Sequence, residues 1–258
     1  MLLAPKMQFV YDHDAFNNAV GASAFSTRLV DAVQAKRAAG KSYGGIPVYN
    51  LTMADARALE SLARKYSIPP EWLANLINHE SAGTFNPAVR NPSSGATGLI
   101  QFMPSTAKGL GTTTTALSKL TFQQQLPWVE KYLFKTLKNL KAYSCTISSV
   151  ASTCKIRPDM REIDLYMAIF YPVSMFKPNY QFPSNVVSAN GGIRTPMDYY
   201  EKVMQHAIFK NTPEHPISGS SQQAQSNKAP LIIGLSIAAV IIVGVGGYLV
   251  YRASKSKK

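Results

Sequence analysis

Residues Asn78–Ala107 read NHESAGTFNPAVRNPSSGATGLIQFMPSTA. One carboxylate, Glu80, closes an apolar helical run that carries Trp72, Leu73, Leu76 and Ile77 on one side. A loop rich in Gly, Asn, Pro and Ser follows, then the compact segment Gly95 to Pro104, and no further Asp or Glu occurs before Glu130. An isolated acid beside a polar, glycine-rich concavity suits a carboxyl that must move a proton. The bland alternative is a solvated glutamate at a helix end, since surface Glu is common. His79 is adjacent on the helix, and neighbours in sequence do not share a helix face, so it is not assigned to the chemistry. Ile77 and Phe85 are the nearby apolar residues expected to raise the acid's pKa.

The stretch resembles the signature of lytic transglycosylases (SLT-type, lysozyme-like). Glu80-Ser81, Asn86-Pro87, Gly95-Ala96, Gly98-Leu99, Gln101, Pro104 and Thr106-Ala107 appear in that family's order. The resemblance runs over roughly residues 51–209. It implies a mainly α, lysozyme-like (goose-type/SLT) domain with a short β-hairpin, acting on peptidoglycan glycan strands. Glycosidic cleavage passes through an oxocarbenium-like state and needs a carboxyl to protonate the leaving oxygen. In the family one Glu protonates that oxygen and then takes the proton of the muramoyl C6 hydroxyl, giving a 1,6-anhydro product without water. Glu80 inherits that part. Gln101 inherits a place in the saccharide groove, and Asn91, Ser81 and Gly98 are the further substrate contacts. No metal or organic cofactor is implied.

The chain departs from the family in three places. Asn91 stands where a Ser is common, and Gly83-Thr84 lengthens the loop after Glu80. The apolar helix that should end in Tyr-Asn-Ala-Gly instead ends MAIFYP over residues 167–172, so Tyr171 matches and Pro172 replaces the Asn. Tyr171 is expected to hydrogen-bond Glu80 and hold it, the other reading being a core tyrosine satisfied elsewhere. A water-adding, goose-type muramidase is the alternative enzyme, and it requires Asp159, Glu162 or Asp164 to return to the cleft. A catalytically inactive, wall-binding structural protein is the alternative outside enzymology.

Outward from the motif, residues 14–40 read as a helix stopped by Gly40, within an N-terminal helical extension over 1–50. Thr52 caps a helix to Tyr66, and Ser67 is expected to cap the next, with Pro69 and Pro70 in its first turn. Residues 95–102 suggest a short hairpin or turn, and helix resumes after Met103. Residues 122–143, 163–171 and 196–209 complete the helices of a domain spanning 51–210. Trp72 and Trp128 are core candidates. Cys145 and Cys154 suit either a small disulfide-closed loop or two inert thiols, and without a nearby His pair a metal site is disfavoured.

Residues 211–230 are polar and Ser/Gln-rich, as in a flexible tether. Leu231 to Tyr251 is then uncharged and apolar. A bilayer core takes about 20 helical residues, so this run is expected to be a transmembrane helix, followed by a basic tail over 252–258. Its flanking Lys and Arg place the tail inside and the domain outside. The N-terminus offers no secretory pattern, because Lys6, Asp12, His13 and Asp14 interrupt it. These features together suggest a single-pass protein of the internal membrane of a bacteriophage virion, working on the host wall or periplasm during genome entry, with other virion membrane proteins as partners. The chain of 258 residues carries a formal charge of +13, which favours anionic partners, but no nucleic-acid-binding motif accompanies it, so no specific nucleic acid is expected.

Overall fold

A computed structural model describes residues 23–147 and 152–213 of the chain. The described residues belong to one compact unit; residues 1–22, with the first part of the helix expected over 14–40, and 214–258, with all but the first three residues of the expected tether and the whole Leu231–Tyr251 run, lie outside the described residues. No helix among the described residues is long and apolar enough to cross a membrane.

The unit is mainly helical. In chain order it comprises α1 (Ala24–Ala38), the two-residue strands β1 (Ser42–Tyr43) and β2 (Ile46–Pro47), α2 (Met53–Lys65), α3 (Pro70–Glu80), α4 (Pro104–Gly109) and α5 (Thr114–Leu117). There follow α6 (Phe122–Asn139), strands β3 (Tyr143–Ile147) and β4 (Ser152–Ile156), α7 (Glu162–Phe170), a 3-10 turn at Pro172–Ser174, α8 (Ser184–Ala189) and α9 (Pro196–Gln205). Both strand pairs are antiparallel hairpins.

α3 sits at the centre. It packs against α1, α2, α7 and α9. Pro70 and the seven residues from Trp72 to Asn78 are buried, so the helix is covered all round rather than on the single face its apolar residues suggest. Covered on every side, a helix must carry polar groups that pair internally. Asn75 does so: its Oδ1 accepts from Phe209 N at 3.0 Å, and its Nδ2 donates to Phe209 O at 2.9 Å and Glu162 Oε1 at 3.2 Å. Trp72, fully buried, donates Nε1–H to Pro213 O at 2.8 Å. Truncating it to Ala would cost about 3–5 kcal/mol. α1, within the stretch read as an extension, adds Phe25, Leu29 and Val33 to the same core.

Helix ends explain where the sequence reading misplaced boundaries. Ser67 is not the N-cap of α3. It stands at φ +59°, one residue beyond the C-cap of α2, while Ile68 N donates to Ala63 O and Ser67 N to Arg64 O, both at 2.9 Å. That is a Schellman closure, which consumes the last free carbonyls of α2. α3 starts from Pro69 without a side-chain cap. The same closure shortens α6. Lys141 takes φ +54° and Ala142 N bonds Leu137 O at 2.8 Å, so the helix stops at Asn139 and the chain turns into β3. The β3–β4 hairpin was not anticipated. Its β-branched Thr146, Ile147, Thr153 and Ile156 suit a strand, and its register sets Cys145 opposite Cys154.

Candidate active site

α3 also ends in a Schellman closure. Ala82 stands at φ +51° and Gly83 N donates to Asn78 O at 2.6 Å. The turn leaves Glu80 at the last helical residue, facing a cavity of about 580 Å³, within the range of small-molecule sites. Ile100, Phe102, Ile169 and Phe170 supply apolar wall; Asn91, Gln101 and Tyr132 supply polar groups. Glu80 is the one carboxylate among the lining residues.

Burial raises the Glu80 carboxyl from its ordinary 4.5 to about 7, against the opposing pull of a hydrogen bond from Tyr199. The negative end of the α3 dipole acts in the same direction as burial. Ile77 and Phe85, both fully buried in the core, do not line this cavity; its apolar wall comes from Ile100, Phe102, Ile169 and Phe170. A carboxyl so placed holds its proton near neutrality and can donate it to a leaving oxygen.

The tyrosine bonded to Glu80 is Tyr199, not Tyr171. Tyr199 OH donates to Glu80 Oε1 at 2.6 Å from the middle of α9. Its ring stacks on Phe170 at 4.4 Å and meets His79 edge-on at 5.3 Å. Burial and the neighbouring Glu80 push its own pKa well above the usual value, so it remains a donor. Tyr171 is turned away because the residue before a proline avoids the helical region. It adopts φ −150° and ψ 80°, and its ring lies against Phe182 and Tyr180. Phe170 occupies the cavity wall in its stead.

The Gly-rich loop is built by backbone pairing and one buried amide. Asn91 N bonds Ala96 O and Gly98 N bonds Val89 O, both at 2.8 Å, and Thr97 pairs with Phe102. Gln125 of α6, fully buried, pins the loop from below. Its Oε1 accepts from Leu99 N at 2.6 Å, and its Nε2 donates to Leu117 O at 2.9 Å and Pro87 O at 3.1 Å. Gly98 stands at φ +89°, and a Cβ there would lie 2.4 Å from Gln125 Oε1. Both facts demand glycine, so Gly98 shapes the loop rather than touching substrate.

Ser81 likewise leaves the list of substrate contacts. It is fully buried, donates Oγ–H to Ile77 O at 2.6 Å and accepts from Phe85 N at 2.9 Å. Asn91 and Gln101 do line the cavity. Asn91 Oδ1 accepts from Ser93 N and Ser94 N, and Gln101 Nε2 donates to Gly98 O at 3.1 Å, so each amide has one end tied to the loop.

The three acids that a second carboxylate role would need lie elsewhere. Asp159 pairs with Arg157, Asp164 caps α7 by accepting from Arg161 N at 2.9 Å, and Glu162 is buried under Tyr166, Thr212 and Asn75. None of them lines the Glu80 cavity. Among the described residues no three His, Cys, Asp or Glu side chains gather as a metal site would require. Tyr199 and Tyr132 were missed from sequence. Tyr199 is 119 positions from Glu80, and an exposed-looking tyrosine on a short terminal helix carries no local sign of that contact.

Residues 57–149 match the family described as "Transglycosylase SLT domain". The match holds Glu80, Asn91, Gln101 and Tyr132 and ends before Tyr199. No curated protein and no solved structure matches the chain.

Proposed function

We propose that this protein is a peptidoglycan lytic transglycosylase that cleaves the β-1,4 bond between MurNAc and GlcNAc and leaves a 1,6-anhydro end. The observation that carries the reading is one carboxyl with a raised pKa, alone among the residues lining its cavity. The family match over residues 57–149 supports the same chemistry. Glu80 gives its proton to the leaving O4 as the C1–O4 bond breaks. The resulting carboxylate takes the proton of the C6 hydroxyl, whose oxygen closes on C1. The proton returns to Glu80 and no water is consumed. Tyr199 holds Oε1 throughout and stabilises the carboxylate formed midway. Asn91 and Gln101 are the proposed contacts to sugar hydroxyls and N-acetyl groups.

A hydrolase would add water with help from a second carboxylate, typically about 5–10 Å from the first. The positions of Asp159, Glu162 and Asp164 favour the single-carboxyl route.

The biological setting is part of the proposal. Leu231–Tyr251 anchors the enzyme in a bilayer and the basic tail fixes its orientation. Carriage in the membrane of a bacteriophage particle would bring the domain to the wall at genome entry. Flotation of full-length protein with vesicles, lost on deleting 231–251, tests the anchor.

The chemistry is tested by mass spectrometry of muropeptides released from purified sacculi by full-length protein in neutral detergent, beside Glu80→Gln. Anhydro ends that vanish in the variant are expected. Products heavier by one water would overturn the transglycosylase reading in favour of a muramidase. Equal release by both proteins would remove Glu80 from the chemistry.

A further inference from the structure

The C-terminal ends of α1, α3 and α9 meet around a second cavity, of about 530 Å³, which shares no lining residue with the first. Lys36 comes from the last turn of α1, Lys41 and Ser42 from the start of the first hairpin, His79 from α3, and His206 from the C-cap of α9. Asn78, 2% exposed, ties the three helices together. Its Oδ1 accepts from Lys36 Nζ and its Nδ2 donates to His206 O at 2.9 Å. No Asp or Glu lines this cavity.

Basic side chains at helix C-termini are ordinary, since each end carries about half a negative charge. Here that compensation falls short. Burial, with the charge of Lys41 added, lowers the Lys36 ammonium to about 8. Burial, with Lys202 and His206 added, lowers His79 to about 4. An ammonium has three protons to donate, and Asn78 Oδ1 takes one of them. An ammonium held at a cost to its charged form in a concave, carboxylate-free site, with a second lysine and two imidazoles around it, marks a place completed by an anion.

We propose that this cavity binds a small oxyanion-bearing ligand, a carboxylate or phosphate, gripped by Lys36 and Lys41 with Ser42, His79 and His206 as further donors. Two lysines and no arginine among the lining side chains suit a point-charge grip on one anionic head rather than a bidentate fork. The volume admits a body larger than the anionic group itself. His79 meets Tyr199 edge-on at 5.3 Å, and Tyr199 bonds Glu80, so an occupant touching His79 is linked to the carboxyl of the first cavity through two aromatic rings, those of His79 and Tyr199. The inference does not rest on the proposed reaction.

The test is isothermal titration calorimetry on full-length protein in neutral detergent. The probes are inorganic phosphate and the dipeptide Ala-Glu, with N-acetylglucosamine as an uncharged control. Saturable binding of at least one anion at one site is expected, and the tighter probe tells phosphate from carboxylate as the natural head group. Lys36→Gln should weaken it about tenfold, the loss of one charge-assisted hydrogen bond. Lys41→Gln, at an exposed position, should weaken it several-fold without touching the fold, and keeps the test decisive if the substitution at half-buried Lys36 unfolds the protein. The His79 imidazole ¹⁵N resonances should move toward imidazolium values on saturation. Absence of saturable binding by either anion at millimolar concentration, or binding that neither lysine substitution changes, would overturn the proposal.

Discussion

Tyr199 donates its hydroxyl to Glu80 Oε1 at 2.6 Å, joining the last helix of the domain to the end of its central helix across 119 positions. That bond favours the ionised carboxylate, while burial opposes it. Tyr199→Phe should therefore slow sugar release about ten- to a hundredfold and push the Glu80 pKa above about 7, a shift toward alkaline pH in the limb of the kcat/KM profile. Tyr171→Phe should leave the rate and the profile unchanged. Muropeptide release measured from pH 5 to 9 checks both.

The general acid must be protonated. With Glu80 at about 7, kcat/KM is expected to hold below that pH and fall tenfold per unit above it. Glu80→Gln should reduce the rate on the order of a thousandfold below about pH 7 and abolish the alkaline limb, so that the gap to the parent protein narrows above that pH, which sacculus turbidity assays can follow.

The same raised pKa has a consequence for stability. The folded state binds the Glu80 proton more tightly than the unfolded chain does, so this group's contribution is complete below about 4.5 and is lost as pH rises through about 7. At pH 8, Glu80→Gln should be the more stable protein by up to about 3 kcal/mol, the two converging near pH 4. Denaturant melts at the two pH values decide it.

Gln125 and Gly98 form one unit. Gln125→Leu leaves buried Leu99 N without its acceptor and should cost about 3 kcal/mol, lowering Tm. Gly98→Ala adds strain at φ +89° and a 2.4 Å collision with the same amide, so the pair of substitutions should be less than additive. Thermal unfolding of both singles and the double gives the coupling.

Ser81→Ala separates structure from binding. Losing the acceptor of Phe85 N should destabilise by about 1–3 kcal/mol, with KM for glycan unchanged within about twofold. A large rise in KM at unchanged Tm would return Ser81 to the substrate groove.

Much of the helical framework was legible because apolar period and turn residues act locally. Thr52 caps α2 and Thr121 caps α6 in capping boxes, and Pro196 opens α9, all signals contained within four residues. Ser67 shows the limit of such signals. Its residue type suits an N-cap, but the two carbonyls left at the end of α2 claimed it for a left-handed closure. The β3–β4 hairpin went unseen because five-residue strands without a sharp turn signal resemble the fraying end of α6.

The sequence by itself determined that a lone acid ends an apolar helix, that a glycine-rich loop follows it, and that no other carboxylate occurs downstream before Glu130. Each of these is a property of neighbours along the chain. Tertiary structure decided which tyrosine reaches that acid, that Ser81 and Gly98 serve the loop instead of the substrate, and that Gln125 holds the loop up. Those choices depend on which helices pack around α3: Tyr171, followed by a proline, lies against Phe182 and Tyr180, while Tyr199, stacked on Phe170, bonds Glu80.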